Sequence, residues 1–421
     1  MKINKERLLL DLSALREITD TPGEGVTRFS YGEKDRVARE YILRAANAAG
    51  LASRTDSVGN IYFGPDESCL GLNGIAPEGS NNGQGKIIIG SHIDTVQNGG
   101  WLDGTYGVIA ALEAMRVMAE KGLLGEKKVE LVIFAEEEGS NFGSCMTGSK
   151  FVTGAYGAEN LRSLKNDRGI TMGQMLGECG YEKYEEKTPV WDFSRVKAML
   201  ELHIEQGPVL DEKGIPLGIV EWINGMSVRE FTLCGVGNHS GGTPMSYRKD
   251  ALAAAARCIL AAQAMAEGDP EGITVATVGK LEAYPNCSNV IPEKVIFTVE
   301  VRDKDNDKIK RLMEGITETI LSIAAEQEME CHMREVAASA PIKLDGNIIK
   351  IIEAQAIKSG LSYLVMNSGA VHDAAMIAAH APAGMIFVPS INGRSHVAIE
   401  DTDPDDLFTG AQLLLDTVMA L

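Results

Sequence analysis

Residues 86–92 read Lys-Ile-Ile-Ile-Gly-Ser-His, a short apolar run that ends in a residue able to hold a metal ion. Three further apolar runs lead into potential metal ligands in the same way. They are 129–135 before Glu136-Glu137-Glu138, 196–200 before His203, and 384–390 before a loop that carries His396. Short apolar runs rich in β-branched residues predict buried strands. Because ligands gather beyond the carboxyl ends of strands in open α/β sheets, the four runs predict one shared site.

The composition is that of a large acidic globular protein. The chain has 421 residues, of which 44% are hydrophobic, and this length allows two domains with separate cores. A net charge of −19 argues against nucleic acids and anionic membranes as partners and suits a site that concentrates divalent cations. Asp11 cuts off the apolar run Leu8-Leu9-Leu10, and no stretch reaches the roughly 18 apolar residues of a membrane span. The seven cysteines include no CxxC pair, which favours reduced thiols and a cytoplasmic location.

The order of the predicted elements indicates one domain interrupted by another. Strands and helices alternate over 1–213, which predicts an α/β domain with helices on both faces of a mixed sheet. Residues 214–336 follow the order β-α-β-β-α-β, the split unit of ferredoxin-like domains. The α/β pattern resumes over 337–421. The predicted fold class is therefore α/β, with a smaller α+β insert at 214–336.

Histidines and carboxylates at the ends of the apolar runs predict a metal centre with two ions. Zinc and related ions accept imidazole nitrogen and carboxylate oxygen, and one carboxylate can bridge two ions. The five candidate ligands are His92, Asp103, Glu138, His203 and His396. Any one of these histidines alone is more typical of a structural residue, and it is the agreement of four strand ends that favours a metal site. The expected cofactor is two divalent ions, zinc or manganese in the first place, with cobalt or nickel also compatible.

Adjacent glutamates have a specific use beside a metal centre. One of them can bind metal while its neighbour acts as the general base that takes a proton from the attacking water. The pattern of the residues alone does not assign the two roles within 136–138.

Seven segments, spread over nearly the whole chain, carry a family resemblance. They are GSHIDTVQNGGWLDGTYG (90–107), AEEEGSNFGS (135–144), ELHIEQGPVL (201–210), GNHSGGTPMSYRKDAL (237–252), NCSNVIPEKVIFTVEVRD (286–303), NSGAVHDA (367–374) and FVPSINGRSH (387–396). In this order they resemble the hydantoinase/carbamoylase branch of the M20 metallopeptidase superfamily. That branch includes N-carbamoyl-L-amino-acid hydrolases, β-ureidopropionases and allantoate amidohydrolases.

The resemblance implies a zinc-peptidase-like catalytic domain and a role for each matched residue near the metals. Asp103 would bridge the two ions, with His92, Glu138, His203 and His396 as the other ligands. Glu137, the first glutamate of the family's Glu-Glu-Gly, would be the general base. Asp94 would be the carboxylate that orients His92.

The resemblance also implies contacts to a ureido substrate that carries a carboxylate. His239 would polarise the scissile carbonyl, usually from the partner subunit of a homodimer formed through the insert, which would also act as a lid. Arg302 would bind the carboxylate of the substrate, because its guanidinium suits bidentate contacts. The remaining positions matched to substrate binding are Gln206, Asn289, Gly369 and His372.

Two positions depart from the family pattern. Val371 stands where Ser-Gly-Ala-Gly-His-Asp commonly has its second glycine, and a β-branched residue does not readily take a glycine-only conformation. Arg394 stands in Gly-Arg-Ser-His where Gly-Ile-Ser-His is frequent, which adds a cation beside the predicted metal site. Both departures bear on the choice of substrate.

Three functions are compatible with these residues. The first is a dinuclear metal amidohydrolase that cleaves a ureido group, with N-carbamoyl-L-amino acids, allantoate and β-ureidopropionate as rival substrates and a slight lean towards allantoate. The second is an aminopeptidase or dipeptidase of the same superfamily, against which the string His-Ile-Glu-Gln-Gly-Pro at 203–208 argues. The third is a metal-binding protein without activity, against which the pair Glu137 and Glu138 argues.

Overall fold

The computed structural model describes residues 1–65, 85–181 and 190–421. The described chain separates into two compact units. The larger unit is Met1–Glu221 with Lys343–Leu421, and the smaller is Trp222–Ile342. The chain has the mixed α/β fold, with a mixed sheet and helices, that the sequence predicts.

The regular elements of the described residues are numbered in chain order. The strands are β1 (Ala52–Thr55), β2 (Ile61–Gly64), β3 (Lys86–His92), β4 (Val129–Phe134), β5 (Val196–Ile204), β6 (Gly218–Ile223), β7 (Gly225–Cys234), β8 (Asn238–His239), β9 (Val275–Thr277), β10 (Leu281–Tyr284), β11 (Val290–Ile291), β12 (Lys294–Asp303), β13 (Glu330–Ser339), β14 (Ile342–Lys343), β15 (Leu364–Ser368) and β16 (Ala383–Val388). The helices are α1 (Lys5–Arg16), α2 (Glu33–Ala48), α3 (Thr105–Glu120), α4 (Leu124–Lys127), α5 (Thr147–Val152), α6 (Ala158–Ser163), α7 (Met172–Glu178), α8 (Val209–Lys213), α9 (Ala251–Glu267), α10 (Asn306–Glu326), α11 (Gly346–Lys358), α12 (Asp373–Ala378) and α13 (Pro404–Ala420). None of these helices is long and apolar enough to cross a membrane.

The larger unit is built on one sheet, which has nine strands within the described ranges. The order is β1-β2-β4-β3-β5-β16-β6-β14, and β15 pairs with β6. Its centre is parallel, because β3 runs parallel to both β4 and β5, and β5 runs parallel to β16. Residues of β3, β4 and β16 are buried throughout, which explains why these strands are continuous apolar runs in the sequence. The four runs that end in potential ligands are thus four adjacent parallel strands, and their carboxyl ends share one edge of the sheet.

Helix α3 packs directly behind this edge. It is buried from Thr105 to Met118 and contacts β3, β4 and β5. Gly104 immediately precedes the helix with a φ of 61°, and a Cβ atom at this position would lie 2.3 Å from Nε2 of His92. Only glycine therefore allows the chain to turn from Asp103 into α3 beside the imidazole of His92.

The smaller unit is an antiparallel sheet covered by two helices. Its strand order is β10-β12-β7-β13, with β9 paired to β12, and a separate ladder joins β8 to β11. Alternate residues of β7 and β12, such as Phe231 and Phe297, pack against α9 and α10 in one hydrophobic core. Apart from the short strands β8 and β11, the elements follow one another as β-α-β-β-α-β, with the two short strands β9 and β10 at the second strand position.

The boundaries between the units differ from those predicted at 213/214 and 336/337. Strand β6 belongs to the large sheet, where Val220 pairs with Met385 of β16, so the first boundary falls after Glu221. Strand β13 continues to Ser339 beside β7, so the second boundary falls after Ile342. The sequence indicates where the order of strands and helices changes. It does not show to which sheet an edge strand hydrogen-bonds.

Candidate metal centre

Asp103 lies at the centre of the cluster at the carboxyl edge of the large sheet. Its Oδ1 is 3.1 Å from Nε2 of His203 and 3.6 Å from Nε2 of His92. Its Oδ2 is 3.2 Å from Nε2 of His396. Two groups of potential ligand atoms result, and within each group all the atoms lie within 4.8 Å of one another. The first group is His92, Asp103 and His203, and the second is Asp103, Glu138 and His396. The two oxygens of one carboxylate thus face two different groups, which is the geometry of a ligand that bridges two ions.

The backbone orients two of the imidazoles. Nδ1 of His92 donates to the carbonyl oxygen of Asp94 at 3.0 Å, and Nδ1 of His203 donates to that of Ile204 at 2.9 Å. A carbonyl oxygen can only accept, so in both rings Nδ1 carries a proton. The Nε2 atoms that face Asp103 are therefore the ones with a lone pair to offer a metal.

Asp94 holds the glutamate turn with its carboxylate. Oδ1 and Oδ2 accept from the backbone N–H groups of Glu137 and Glu138, at 3.2 and 3.1 Å. The carboxylate stays 3.7 Å from Nδ1 of His92, so the carbonyl of Asp94, rather than the predicted carboxylate, orients that ring. With the turn fixed, Oε2 of Glu137 lies 3.6 Å from Nε2 of His92, and Oε1 of Glu138 lies 3.5 Å from Nε2 of His396.

The protonation equilibria of these groups show that the cluster is short of positive charge. Burial, together with repulsion from Asp103, raises the pKa of Glu138 to about 7. The hydrogen bond to Asp103 raises the pKa of His396 to about 9. Burial opposes a charged His92, yet Glu137 and Asp103 raise its pKa well above the usual value. Each of these shifts favours an additional cation, and a divalent ion supplies that charge in place of protons.

Two buried oxygen atoms beside Asp103 are left without a hydrogen-bond partner among the described residues, namely Oε1 of Glu138 and Oε1 of Gln206. Oε1 of Glu138 is inaccessible to solvent and accepts no hydrogen bond from the described residues, although it lies 3.5 Å from Nε2 of His396. A buried carboxylate oxygen that lacks a partner is costly unless it binds an ion. With imidazole nitrogens and carboxylate oxygens as the other donors, the residues present fit a centre for divalent metal ions.

Gln206 contacts the same carboxylate. Its Nε2 donates to Oδ2 of Asp103 at 2.7 Å and lies 3.3 Å from Nε2 of His396. The backbone of Gln206 has a φ of 58°, an uncommon conformation for a residue other than glycine. Gln206, which the resemblance assigns to the substrate, is thus placed where it also sets the position of Asp103.

His372 is buried beside His203, one of the candidate metal ligands. Its Nε2 is 2.9 Å from Oγ of Ser368, and its ring centre is 4.7 Å from that of His203. Burial and the neighbouring His203 hold the pKa of His372 well below its usual value, so this ring is neutral. Gly369 is exposed in the loop between these residues. Val371 is not among the described residues with a positive φ, so the chain accommodates it in an ordinary conformation.

In the smaller unit, His239 is held as a hydrogen-bond donor. It is exposed, and its Nδ1 accepts from the backbone N–H groups of Gly241 and Gly242 at 3.1 and 3.0 Å. Since Nδ1 is an acceptor in the neutral ring, Nε2 carries the proton. Asn289 lies beside it, because its carbonyl oxygen accepts from the N–H of Ser240 at 3.1 Å.

The smaller unit does not bring Arg302 and His239 together. Arg302 is opposite Met226 at one end of the β7–β12 ladder, and Lys294 is opposite Cys234 at the other end. His239 lies beyond that second end, since it follows Cys234 in the chain and pairs with Val290. At about 3.3 Å per residue, the span from Arg302 to Lys294 alone is roughly 26 Å. Arg302 itself donates from Nε to Glu300 at 2.7 Å.

Glu201 and Asp373 are buried carboxylates beside the candidate ligands, and neither is among the predicted site residues. Glu201 accepts from Oγ of Ser91 at 2.7 Å and from the N–H of Ala374 at 2.8 Å, and burial raises its pKa. Asp373 is also fully buried, and burial and Glu201 raise its pKa well above the usual value. The position of Glu201, between the apolar run 196–200 and His203, is the sequence signal that could have revealed it.

Comparison with known proteins agrees with this site. The model of Peptidase family M20/M25/M40 matches residues 88–420. An N-carbamoyl-L-amino-acid amidohydrolase of Pseudomonas sp. (strain NS671) is 34% identical over 99% of this chain and 98% of its own. An allantoate amidohydrolase of Escherichia coli (strain K12) is 34% identical over 93% and 92%. The crystal structure of a hydantoinase/carbamoylase family amidase from Burkholderia multivorans matches with a TM-score of 0.86 and 31% identity, over 99% of this chain and 97% of that one. The chain therefore belongs to peptidase family M20/M25/M40 and, within it, to the hydantoinase/carbamoylase branch.

Proposed function

We propose that this protein is a dinuclear metal-dependent amidohydrolase that cleaves the ureido C–N bond of an N-carbamoyl-L-amino acid or of allantoate. The products would be ammonia, carbon dioxide and the remaining amine. The observation that carries the proposal is the position of Asp103, whose two carboxylate oxygens face two separate groups of ligand atoms. Relatives of nearly full length and similar identity are named for both substrates, so the two remain rivals.

The proposed centre holds two divalent cations. His92, Asp103 and His203 would hold one ion, and Asp103, Glu138 and His396 the other. Zinc and manganese fit these donors best, and cobalt and nickel are compatible. When bound, such ions lower the pKa of a water molecule and polarise the substrate carbonyl.

Glu137 is the proposed general base. It is buried, its backbone N–H is fixed by Asp94, and its Oε2 is 3.6 Å from Nε2 of His92. Burial, with the nearby Asp373, raises the pKa of Glu137 well above its usual value. A carboxylate with a raised pKa can take a proton from the attacking water and deliver it to the leaving nitrogen.

His239 and Arg302 are proposed to act on the substrate itself. The proton on Nε2 of His239 would be donated to the carbonyl oxygen as negative charge develops there, which stabilises a transition state by about 3–4 kcal/mol. Arg302 would bind the carboxylate in bidentate fashion, an interaction that is similar in the ground and transition states. The remaining proposed contacts are Gln206, Asn289, Gly369 and His372.

The positions of these two residues support the proposal of a homodimer. Arg302 lies at one end of the β7–β12 ladder, and the strand that carries His239 follows the other end, which is roughly 26 Å away by the rise of a strand. A molecule as small as an N-carbamoyl amino acid cannot reach both within one copy of the chain. We therefore propose that two copies assemble through the smaller unit, that His239 and Asn289 enter the site of the partner, and that closure of this unit as a lid completes the site.

The test is ammonia release after removal and return of metal. The chelated protein should release no ammonia, and addition of zinc or manganese should restore release from an N-carbamoyl-L-amino acid, allantoate or β-ureidopropionate. Cleavage of dipeptides without turnover of any ureido compound would establish the alternative of a metallo-aminopeptidase or dipeptidase. Tight metal binding without turnover of either class would establish a metal-binding protein without activity. Full activity after exhaustive chelation, with no metal detected, would refute the metal centre.

A further inference from the structure

Glu400, in the loop before α13, joins the two segments that supply Asp103 and His396. The side chain is buried, with 2% of its surface exposed. Its Oε1 accepts from the backbone N–H groups of Leu102 at 2.9 Å and Asp103 at 3.0 Å. Its Oε2 accepts from Oγ of Ser395 at 2.8 Å and from the N–H of His396 at 3.3 Å. One carboxylate thus connects parts of the chain that are almost 300 residues apart.

The backbone on the opposite side is shaped to receive this carboxylate. A Cβ atom at Gly100 would lie 1.9 Å from the carboxyl carbon of Glu400 and 2.0 and 2.2 Å from its oxygens. Every other residue at position 100 would therefore displace the carboxylate. The indole N–H of Trp101 also donates to the carbonyl oxygen of Glu400 at 2.9 Å, so main chain and side chain of Glu400 are both held.

We propose that Glu400 is a positioning residue of the metal centre, which holds Asp103 and His396 at the separation that one ion requires. This inference rests on the proposed metal centre. Glu400 acts through its neighbours, because its oxygens contact the backbone of both ligands and the hydroxyl of Ser395, which itself lies 3.1 Å from Oδ2 of Asp103. Loss of the carboxylate would leave several donors without an acceptor and would free the two ligands to move apart.

Partners that orient metal ligands typically contribute 10–100-fold to metal affinity. We expect Glu400→Ala to raise the dissociation constant for zinc by roughly this factor, and kcat at saturating metal to fall by on the order of 10-fold with little change in KM. Gly100→Ala should act in the same direction, although residue 100 contacts no metal ligand through a side chain. Glu400→Gln should have a smaller effect, because its amide oxygen still accepts from Leu102 and Asp103 while its NH₂ group meets the N–H of His396.

The experiment is a competition titration of chelated protein with zinc and a chromophoric chelator, together with thermal unfolding of the metal-free forms. Asp401→Asn is the matched control, since Asp401 is the exposed neighbouring carboxylate and the amide oxygen can still accept from the N–H of Thr402. It should bind zinc as the wild type does. If Glu400→Ala does not fold, the zinc titration is carried out with Glu400→Gln and Gly100→Ala instead.

The variant His396→Ala distinguishes a failure of the positioning role of Glu400 from a failure of the proposed metal centre. If His396→Ala weakens zinc binding and the Glu400 and Gly100 variants do not, the positioning role is overturned while the metal centre stands. If His396→Ala also leaves zinc binding unchanged, the proposed metal centre itself is overturned. A lower unfolding temperature of the Glu400 variants, with an unchanged zinc dissociation constant, would reduce Glu400 to a purely structural residue.

Discussion

Binding of metal to the chelated protein should release protons in an amount that the structure fixes. The pKa of His396 is about 9 because of its hydrogen bond to Asp103, and burial raises the pKa of Glu138 to about 7. Both groups must be deprotonated to bind an ion. At pH 7 His396 would release about one proton and Glu138 about half a proton, hence roughly one and a half together. At pH 8.5 the same two groups would release roughly 0.8.

The release can be measured by calorimetric titration of chelated protein with zinc in buffers of different ionisation enthalpy. The slope of the observed enthalpy against the ionisation enthalpy gives the number of protons. The raised pKa of His92 can only add to the release at pH 7. A release of less than one proton at pH 7, or one that does not decline between pH 7 and 8.5, would refute His396 and Glu138 as ligands in this electrostatic environment.

The same shifts predict how the stability of the metal-free protein depends on pH. Both folded-state pKa values lie above those of the unfolded chain, so protonation stabilises the fold. The contribution of Glu138 is complete below pH 4.5 and is lost as the pH rises through about 7. The contribution of His396 is complete below pH 6.5 and is lost through about 9. The free energy of unfolding of the chelated protein should therefore fall from pH 6.5 to 9, and saturation with metal should remove this decline. A flat profile for the chelated protein would contradict the shifts.

Three further predictions concern individual roles in the proposed reaction. Glu137→Gln should retain metal and lose turnover by roughly 10²-fold or more, whereas Glu138→Gln should lower metal content; a near wild-type rate for the first variant would refute the base. Arg302→Ala should mainly raise KM and His239→Ala should mainly lower kcat, while Arg334→Ala, which removes an exposed arginine whose Nε also pairs with a glutamate at 2.7 Å, should change neither. Mixed subunits of His239→Ala and Glu137→Gln should recover roughly a quarter of wild-type activity if His239 acts across a two-fold dimer, and none if it acts within its own chain.

The sequence was most informative where strands of the central sheet end. Lys86–His92 and Val129–Phe134 are apolar on both faces because parallel strands of this kind are covered on both sides, so their limits could be predicted from composition alone. A candidate ligand at or just beyond such an end is placed by the strand, which is why the sequence predicts His92 and Glu138 at the same edge of the sheet. Contacts that depend on one particular atom were not predictable. Whether the carbonyl or the carboxylate of Asp94 accepts the hydrogen bond from His92 depends on the path of a loop. The hydrophobic periodicity of the sequence contains no information about that path.

The proposed assembly of two copies of the chain illustrates a further limit of prediction from sequence. Motifs place His239, Asn289 and Arg302 in one substrate site, and all three belong to the same folded unit. Only the register of β12 shows that Arg302 is opposite Met226, while His239 lies on the separate β8–β11 ladder that follows Cys234 in the chain. A β-strand is stiff and rises by about 3.3 Å per residue, so bending within the unit cannot bring these ends to one small molecule. If both residues serve the same substrate, they must come from different copies, and a monomer that retains full activity would show that one of the two assignments is wrong.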